Sequence, residues 1–293
     1  MMSIGVLCSG GLGFSCLTKL TQDHEVKFVL TDSLSLPIIN FCDKSGIPFF
    51  NGNPRKGRGY TFMKSIDVDV IVSVNYLFII DMDIVAHAKK LAFNVHGSLL
   101  PKYRGRTPHV WSIINGESET GITAHRINEG CDTGDVIKQI RVKIDNNDTG
   151  GDILAKFEKL YYPLISEVLT SLNDSSITYT AQNNDKASFF GKRTPDDGLI
   201  NWAWKAHDIR NWVRAQSSPY PGAFSYCNND KLIIDKVSVV ECDNRKEYTN
   251  GEIIEISPRI VVKCGQSAVS LDSFRETSIN FEVGNILTDG NSK

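Results

Sequence analysis

Several features that define common protein classes are missing from this sequence. Its seven cysteines are scattered, without a CxxC pair or any metal-ligand spacing. No apolar run approaches the roughly 18 residues that a membrane span needs, and the first residues lack the basic stretch of a secretory signal. The net charge of −2 argues against a large nucleic-acid footprint, which normally requires a basic excess. We therefore expect a cytoplasmic protein without bound metal, membrane contact or nucleic-acid partner.

What is present is the composition of an ordinary globular protein. The 293 residues include 41% apolar and 23% charged side chains, close to the average for soluble domains. This length suits one large domain or two of ordinary size. A polar stretch at residues 183–186 reads as a linker. It predicts one domain over residues 1–186 and a second over residues 187–293.

The first of these domains alternates strand-like and helix-like segments. Residues 4–8 form an apolar run, closed by glycines at positions 10, 11 and 13, and residues 68–75 form the strongest strand pattern. Such alternation predicts a Rossmann-like α/β domain with a mostly parallel sheet. Thr107 and Pro108 predict a helix start, with threonine as the capping residue. A long helix is expected over residues 152–172, and Pro163 should kink or split it.

The second domain has a different pattern. Short strand-like segments alternate with turns from residue 223 onward, and the clearest hairpin turns fall at residues 228–230 and 265–266. The predicted strands are 223–227, 231–240, 251–256, 259–264 and 267–271. Five short strands predict a small, mostly β domain, for which an OB-like barrel is one candidate.

One stretch of the first domain concentrates chemically useful groups. Asn94 and His96 are two residues apart, so on an extended segment their side chains face the same side. Asn94 can donate to a developing oxyanion, His96 can donate or shuttle a proton, and Asp132 can orient the imidazole. The plainer alternatives are a structural histidine and an Asx-turn aspartate. The convergence of an amide, an imidazole and a carboxylate favours catalysis.

The motifs around these residues resemble a known family. Residues 94–101 read Asn-Val-His-Gly-Ser-Leu-Leu-Pro, residues 103–105 read Tyr-Arg-Gly, and residues 129–134 read Glu-Gly-Cys-Asp-Thr-Gly. This pattern resembles the 10-formyltetrahydrofolate-dependent formyltransferases over about residues 65–145, and residues 192–202 resemble the start of the second domain in two-domain members. The resemblance implies that Asn94, His96 and Asp132 are catalytic. As an amine attacks the formyl carbon, Asn94 and a protonated His96 would stabilise the oxyanion. Asp132 would raise the pKa of His96 and help to route the proton of the amine.

The resemblance also implies where the co-substrate N10-formyltetrahydrofolate binds. Two segments would form the walls of its pocket, and neither includes a metal ligand. They are Tyr76, Leu77, Phe78, Ile79 and Ile80 on one wall, and Asn128, Glu129, Gly130 and Cys131 on the other.

Residues 104–111 and 115–117 look most like those of sugar N-formyltransferases. The implied acceptor is the amino group of a nucleotide-linked aminosugar for surface polysaccharide such as O-antigen, and a dTDP-4-amino-4,6-dideoxyhexose is the narrower expectation. An arginine suits a pyrophosphate because its fork donates two parallel hydrogen bonds. The implied acceptor contacts are Lys102, Tyr103, Arg104 and Arg106. Ser9 and Gly10 are further candidates, because backbone N–H groups at a helix N-terminus can hold a phosphate; a role in a tight strand–helix turn alone is the equal alternative.

Other functions stay open at this point. A methionyl-tRNA formyltransferase is the second enzyme candidate, although only Lys19 is basic within residues 12–22. A regulator that binds folate or nucleotide without turnover belongs to a different class. Hydrolysis of the formyl donor by water is a third possibility. The family also makes a homodimer plausible. His109 and His125 are expected to be packing or helix-end residues rather than metal ligands, and Cys131 is not expected to react as an activated thiol.

Overall fold

The structure is a computed structural model that describes residues 2–228, 230–241 and 247–290. The strands, in chain order, are β1 Ser3–Cys8, β2 Glu25–Thr31, β3 Phe49–Asn51, β4 Val70–Val74, β5 Leu91–His96, β6 Arg104–Gly105, β7 Glu119–Arg126, β8 Val136–Lys143, β9 Phe189–Phe190, β10 Ala223–Cys227, β11 Asp230–Val240, β12 Ile253–Glu255, β13 Ile260–Cys264, β14 Ser267–Phe274 and β15 Leu287–Thr288. The helices are α1 Gly10–Asp23, α2 Leu36–Ser45, α3 Arg58–Met63, α4 Met82–Ala86, α5 Pro108–Ile114, α6 Gly150–Asn173 and α7 Ala206–Gln216.

The chain forms two compact units. The first comprises Met1–Gly105, Gly121–Val142 and Lys156–Phe190, and the second comprises Arg106–Thr120, Lys143–Ala155 and Gly191–Lys293. The division into residues 1–186 and 187–293 stays a prediction.

The first unit is built on a seven-stranded sheet in the order β3-β2-β1-β4-β5-β7-β8. The pairings from β3 through β5 are parallel, and β7 then runs antiparallel to β5. Strand β4 is buried along its whole length, as expected of a central parallel strand covered on both faces. Glycine is required at Gly5, where a Cβ atom would lie 2.3 Å from the ring of Phe28. The predicted mostly parallel α/β sheet is confirmed.

The second unit holds an antiparallel sheet in the order β12-β13-β14-β11-β10-β15. Its two edge strands approach each other, because the amides of Ile253 and Leu287 donate to the carbonyls of Asn285 and Gly251, both at 2.8 Å. The sheet therefore forms a near-barrel, in agreement with the predicted β domain. The predicted hairpin joins β10 and β11, which pair up to Cys227 and Asp230; Asn229 lies outside the described residues.

Two local expectations were not met in full. Helix α6 is one continuous element, so Pro163 does not split it, because burial of its apolar stripe, which includes Phe157 and Leu164, outweighs one lost backbone hydrogen bond. A kink at Pro163 stays a prediction. Helix α5 does begin at Pro108, but Thr107 makes no capping bond. Its backbone is left-handed (φ 48°) rather than extended as a capping residue requires. No helix in the described part of the chain is long and apolar enough to cross a membrane.

Candidate active site

Antiparallel pairing between β5 and β7 assembles the first part of the site, all of which lies in the first unit. Asn94 pairs directly with His125, and His96 pairs with Thr123. Directly opposed residues share one face of an antiparallel pair, and residues two apart on a strand share it too. The amide of Asn94 and the imidazoles of His96 and His125 are thereby brought together. The Nδ2 atom of Asn94 lies 3.2 Å from Nε2 of His125.

His96 ends β5 and is almost fully buried. Its Nε2 lies 2.8 Å from the carbonyl oxygen of Tyr103, to which it donates, and its Nδ1 lies 3.5 Å from Oδ2 of Asp132. Burial lowers the pKa of His96, while the neighbouring Asp132 opposes that shift. Asp132 thus raises the pKa of His96 as expected, but the net shift is downward, because the cost of charging a buried ring is the larger effect.

Asp132 completes the set from a loop. Besides facing His96, it places Oδ1 3.4 Å from Nε2 of His125, and its Oδ2 accepts a hydrogen bond from the amide of Gly105 at 3.0 Å. Burial alone would raise the pKa of Asp132, but the two imidazoles and this amide hold it well below its usual range. The carboxylate is therefore ionised and lies between two imidazoles.

The loop around Asp132 has its own internal support. Asn128 accepts hydrogen bonds from the amide of Gly130 at 3.2 Å and the hydroxyl of Thr133 at 2.8 Å. A Cβ atom on Gly134 would lie 1.9 Å from the carbonyl oxygen of Arg126. Asn128 thus fills the turn-stabilising role that had been an alternative for Asp132. Asp132 itself has a left-handed backbone (φ 54°), a costly conformation typical of functional positions.

A second set of polar contacts fixes this loop from the other side. The side-chain amide of Gln182 donates to the carbonyls of Asp132 and Gly134 at 2.9 and 2.7 Å. Arg104 is 2% exposed and donates to Gln182 and Asn184. Because Arg104 occupies the oxygen of the Gln182 amide, the nitrogen must point to the Asp132 loop. The buried guanidinium thus supports the Asp132 loop, and its predicted contact with the acceptor stays a prediction.

Two further residues of the predicted acceptor region, Lys102 and Tyr103, directly precede strand β6. Tyr103 stacks on Phe190 with ring centroids 5.1 Å apart, and its amide donates to Ser188. A Cβ atom on Gly105 would lie 2.3 Å from the carbonyl oxygen of Phe190, so only glycine permits the pairing of β6 with β9. Lys102 is exposed beside this strand. Arg106, also exposed, belongs to the second unit.

The predicted contacts Ser9 and Gly10 lie where β1 passes into α1. Ser9 is buried and accepts at its carbonyl from the side chain of Asn75. The exposed Gly10 has a left-handed backbone (φ 63°) and donates its amide to the hydroxyl of Ser35 at 2.9 Å. That hydroxyl in turn donates to Asp32. These residues follow the carboxyl ends of neighbouring parallel strands, where sheets of this kind bind ligands.

The predicted folate segments follow two different strands. Residues 76–80 follow β4, and they include the exposed side chains of Leu77 and Ile79. Tyr76 packs edge-on against Phe78, and its buried hydroxyl has no hydrogen-bond partner among the described residues. Residues 128–131 follow β7 and are exposed. An exposed apolar edge beside a buried polar atom is suited to a flat heterocycle with polar edges.

Sequence reasoning missed the residues that support the catalytic set. His125 was expected to be a packing residue without a role in the site, and Gln182, Ser188 and Thr123 were not singled out. Thr123 donates to the carbonyl of Ser98 at 2.6 Å and so fixes the turn after His96. Only the period-two spacing of Thr123 and His125 hinted that both would face the site. Within the described residues, no group of three or more histidine, cysteine, aspartate or glutamate side chains could hold a metal ion.

Comparison with known proteins identifies both parts of the chain. Residues 53–169 match the family "Formyl transferase", and residues 192–280 match "Formyl transferase, C-terminal domain". The bifunctional polymyxin resistance protein ArnA of Wigglesworthia glossinidia brevipalpis is 34% identical over 280 residues, which cover 94% of this chain and 42% of that protein. The chain thus spans less than half the length of this curated relative.

Two solved structures share the fold. The N-formyltransferase from Helicobacter canadensis, in complex with folinic acid and dTDP-3-aminofucose, has a TM-score of 0.71 at 21% identity and covers 92% of this chain and 99% of its own. The sugar 3N-formyl transferase WlaRD, in the presence of dTDP and 5-N-formyl-THF, has a TM-score of 0.68 at 21% identity, with coverages of 92% and 97%. With both family domains matched along one chain, this protein belongs to the formyl transferase family of enzymes.

Proposed function

We propose that this protein transfers the formyl group of N10-formyltetrahydrofolate to the amino group of a nucleotide-linked aminosugar. The observation that carries the proposal is one partly buried cluster, in which His96 faces Asp132 directly and Asn94 is linked to Asp132 through His125. The solved structures named above hold dTDP with 5-N-formyl-THF and dTDP-3-aminofucose with folinic acid, which supports this pair of substrates. The product would serve surface polysaccharide such as O-antigen; a homodimer and a cytoplasmic location stay predictions.

The three catalytic groups divide the reaction between them. The amine attacks the formyl carbon, a C–N bond forms, and the carbonyl oxygen becomes an oxyanion to which Asn94 donates. The ionised Asp132 and His96 take up the proton that the amine loses, and the imidazolium formed lies 3.5 Å from the carboxylate that stabilises it. When the bond between the formyl carbon and N10 breaks, that proton passes to N10. The products are the N-formylated sugar and tetrahydrofolate.

The substrates would lie against the residues predicted for them. We assign the folate to residues 76–80 and 128–131, where exposed apolar side chains border polar backbone. We assign the acceptor to Ser9, Gly10, Lys102 and Tyr103 of the first unit. The contact of Arg106 with its phosphates stays a prediction. Arg104 contributes by holding Gln182 against the Asp132 loop.

The experiment presents the purified protein with N10-formyltetrahydrofolate and a panel of acceptors. The panel contains dTDP-4-amino-4,6-dideoxyglucose, its 3-amino isomer, the matching UDP sugars and methionyl-tRNA. We expect a mass gain of one formyl group on an aminosugar, and no gain with the His96→Ala variant. Formylation of methionyl-tRNA alone would identify the other enzyme class. Release of formate at full rate without any acceptor would indicate hydrolysis.

A further inference from the structure

His125 is the one histidine of the cluster that the proposed chemistry has not used. It is 3% exposed, and its ring lies edge-on to that of His96, with centroids 6.4 Å apart. It contacts two of the three catalytic groups, Asn94 and Asp132. A buried imidazole between two groups that must each hold one orientation is well placed to impose that orientation.

Hydrogen bonding decides which nitrogen of His125 carries a proton. The Nδ1 atom lies 2.9 Å from the carbonyl oxygen of Arg126, which can only accept, so Nδ1 must be the donor. In the neutral ring Nε2 is then an acceptor. It lies 3.2 Å from Nδ2 of Asn94, which is closer than its 3.4 Å approach to Asp132. In its neutral form, with the proton on Nδ1, the ring of His125 accepts a hydrogen bond from Asn94.

This bond also determines how Asn94 presents its amide. A carboxamide has two N–H bonds on one side and an oxygen on the other. With one N–H given to His125, the second stays available to an oxyanion, and the oxygen is turned away from His125. A reversed amide would set its oxygen against the Nε2 lone pair. Without His125, nothing in this contact distinguishes the two orientations.

From this geometry we propose that His125 is a positioning residue, which orients the Asn94 amide for the oxyanion and lies beside the Asp132 oxygen that does not face His96. The proposal rests on the proposed formyl transfer. Losing the oxyanion donor itself typically costs about 10²–10³ in rate. A donor that merely flips freely would cost about twofold, and one that is also displaced costs more. Loss of the His125 contact should fall between these limits, at about tenfold in kcat.

Substituting His125 by either of two amides distinguishes a role in orienting Asn94 from a role in packing alone. The oxygen of a glutamine reaches about as far as Nε2 of the histidine, whereas asparagine reaches only to the Nδ1 position. We expect His125→Gln to retain most of the wild-type kcat, and His125→Asn to lose about tenfold in kcat while KM changes by less than about twofold. His87→Gln is the control, because His87 bonds the carbonyl of Ile66 outside the site; it should leave both constants unchanged.

A double-mutant cycle tests whether His125 affects kcat through Asn94. In an Asn94→Ala background, the change His125→Asn should cost little more, because the group that it orients is already gone. Equal kcat values for the Gln and Asn variants of His125 would overturn the proposal. So would a tenfold loss that persists in the Asn94→Ala background.

A spectroscopic readout is independent of any acceptor. Long-range ¹H–¹⁵N spectra of the wild-type protein should show His125 as the Nδ1–H tautomer with an unprotonated Nε2. In Asn94→Leu, the ¹⁵N resonance of His125 Nε2 should move toward that of an unprotonated imidazole nitrogen that accepts no hydrogen bond. Detection of a proton on Nε2 of the neutral ring would overturn the proposal even if every variant were active. Failure of all acceptors would overturn the proposed function instead and leave this result standing.

Discussion

Asp32 and Asp132 are two carboxylates in the first unit whose surroundings differ in kind. Asp32 accepts from the amide of Leu34 at 2.8 Å and the hydroxyl of Ser35 at 2.5 Å. Asp132 accepts from one amide and lies between the imidazoles of His96 and His125. In both, burial raises the pKa, and the surrounding groups reverse that shift.

The two carboxylates differ in the neighbours that reverse the rise in pKa caused by burial. A hydroxyl and an amide are fixed donors that cannot change charge near neutral pH, so they make Asp32 a structural anchor. Imidazoles can gain and lose protons in that range, so Asp132 belongs to a group that can take part in proton transfer. A lowered carboxylate pKa alone does not distinguish the two roles.

The largest expected effect is on the rate, from Asp132→Asn. Asparagine keeps the shape and an oxygen for the amide of Gly105, but it removes the charge that stabilises an imidazolium. We expect kcat for formyl transfer to fall by about 10²–10⁴, measured in single-turnover assays. The melting temperature serves as the control for folding. A loss of less than about fivefold would show that Asp132 resembles Asp32 more than proposed.

The matched substitution Asp32→Asn should affect stability instead. It weakens two charge-assisted hydrogen bonds, and we expect the free energy of unfolding to fall by about 1–3 kcal/mol while kcat is retained. Urea denaturation together with the same kinetic assay measures both. A loss of rate as large as that of Asp132→Asn would remove the distinction between the two carboxylates.

A smaller effect should appear in the pH dependence of stability. The pKa of His96 is lowered in the folded protein, so below about 6.5 the unfolded chain binds the proton first. The stability is therefore complete above that pH and is lost as the pH falls through it. Between pH 7.5 and 5.5 the wild type should lose up to about 1 kcal/mol more than His96→Gln, which keeps a donor for Tyr103.

Urea denaturation of both proteins at the two pH values provides this measurement. The lowered pKa of Asp132 acts in a lower window, since its contribution is present above about 4 and is lost only below that. Its titration therefore does not confound the comparison. Equal losses in the two proteins would mean that His96 is not a buried neutral ring.

The broad fold was predictable because it depends on local patterns. Alternating apolar segments indicated the parallel sheet, and the turns after residue 223 indicated an antiparallel β domain. Predictions of local detail failed where tertiary contacts override local conformational preference. Pro163 was expected to interrupt α6, but packing of the helix stripe maintains it. Thr107 was expected to cap α5, but its left-handed backbone prevents this.

The site was predictable in part, because some of its residues are also arranged by local patterns. Asn94 and His96 share a face because side chains alternate along any extended strand, and the Asp132 motif could be recognised from its residues. The burial of Arg104 against Gln182 and Asn184 was not predicted. Burial of a whole guanidinium depends on segments about 80 residues away, which no local pattern reports.

Residue order alone therefore decided which chemical groups the protein offers and which neighbours along one strand act together. The spacing of Asn94 and His96 is a property of the extended backbone and needs no other contact. Tertiary structure decided that His125 lies opposite Asn94, because the register of β5 against β7 joins residues 31 apart. It also decided the charge state favoured by His96, because burial is a property of everything packed around the ring rather than of the ring itself.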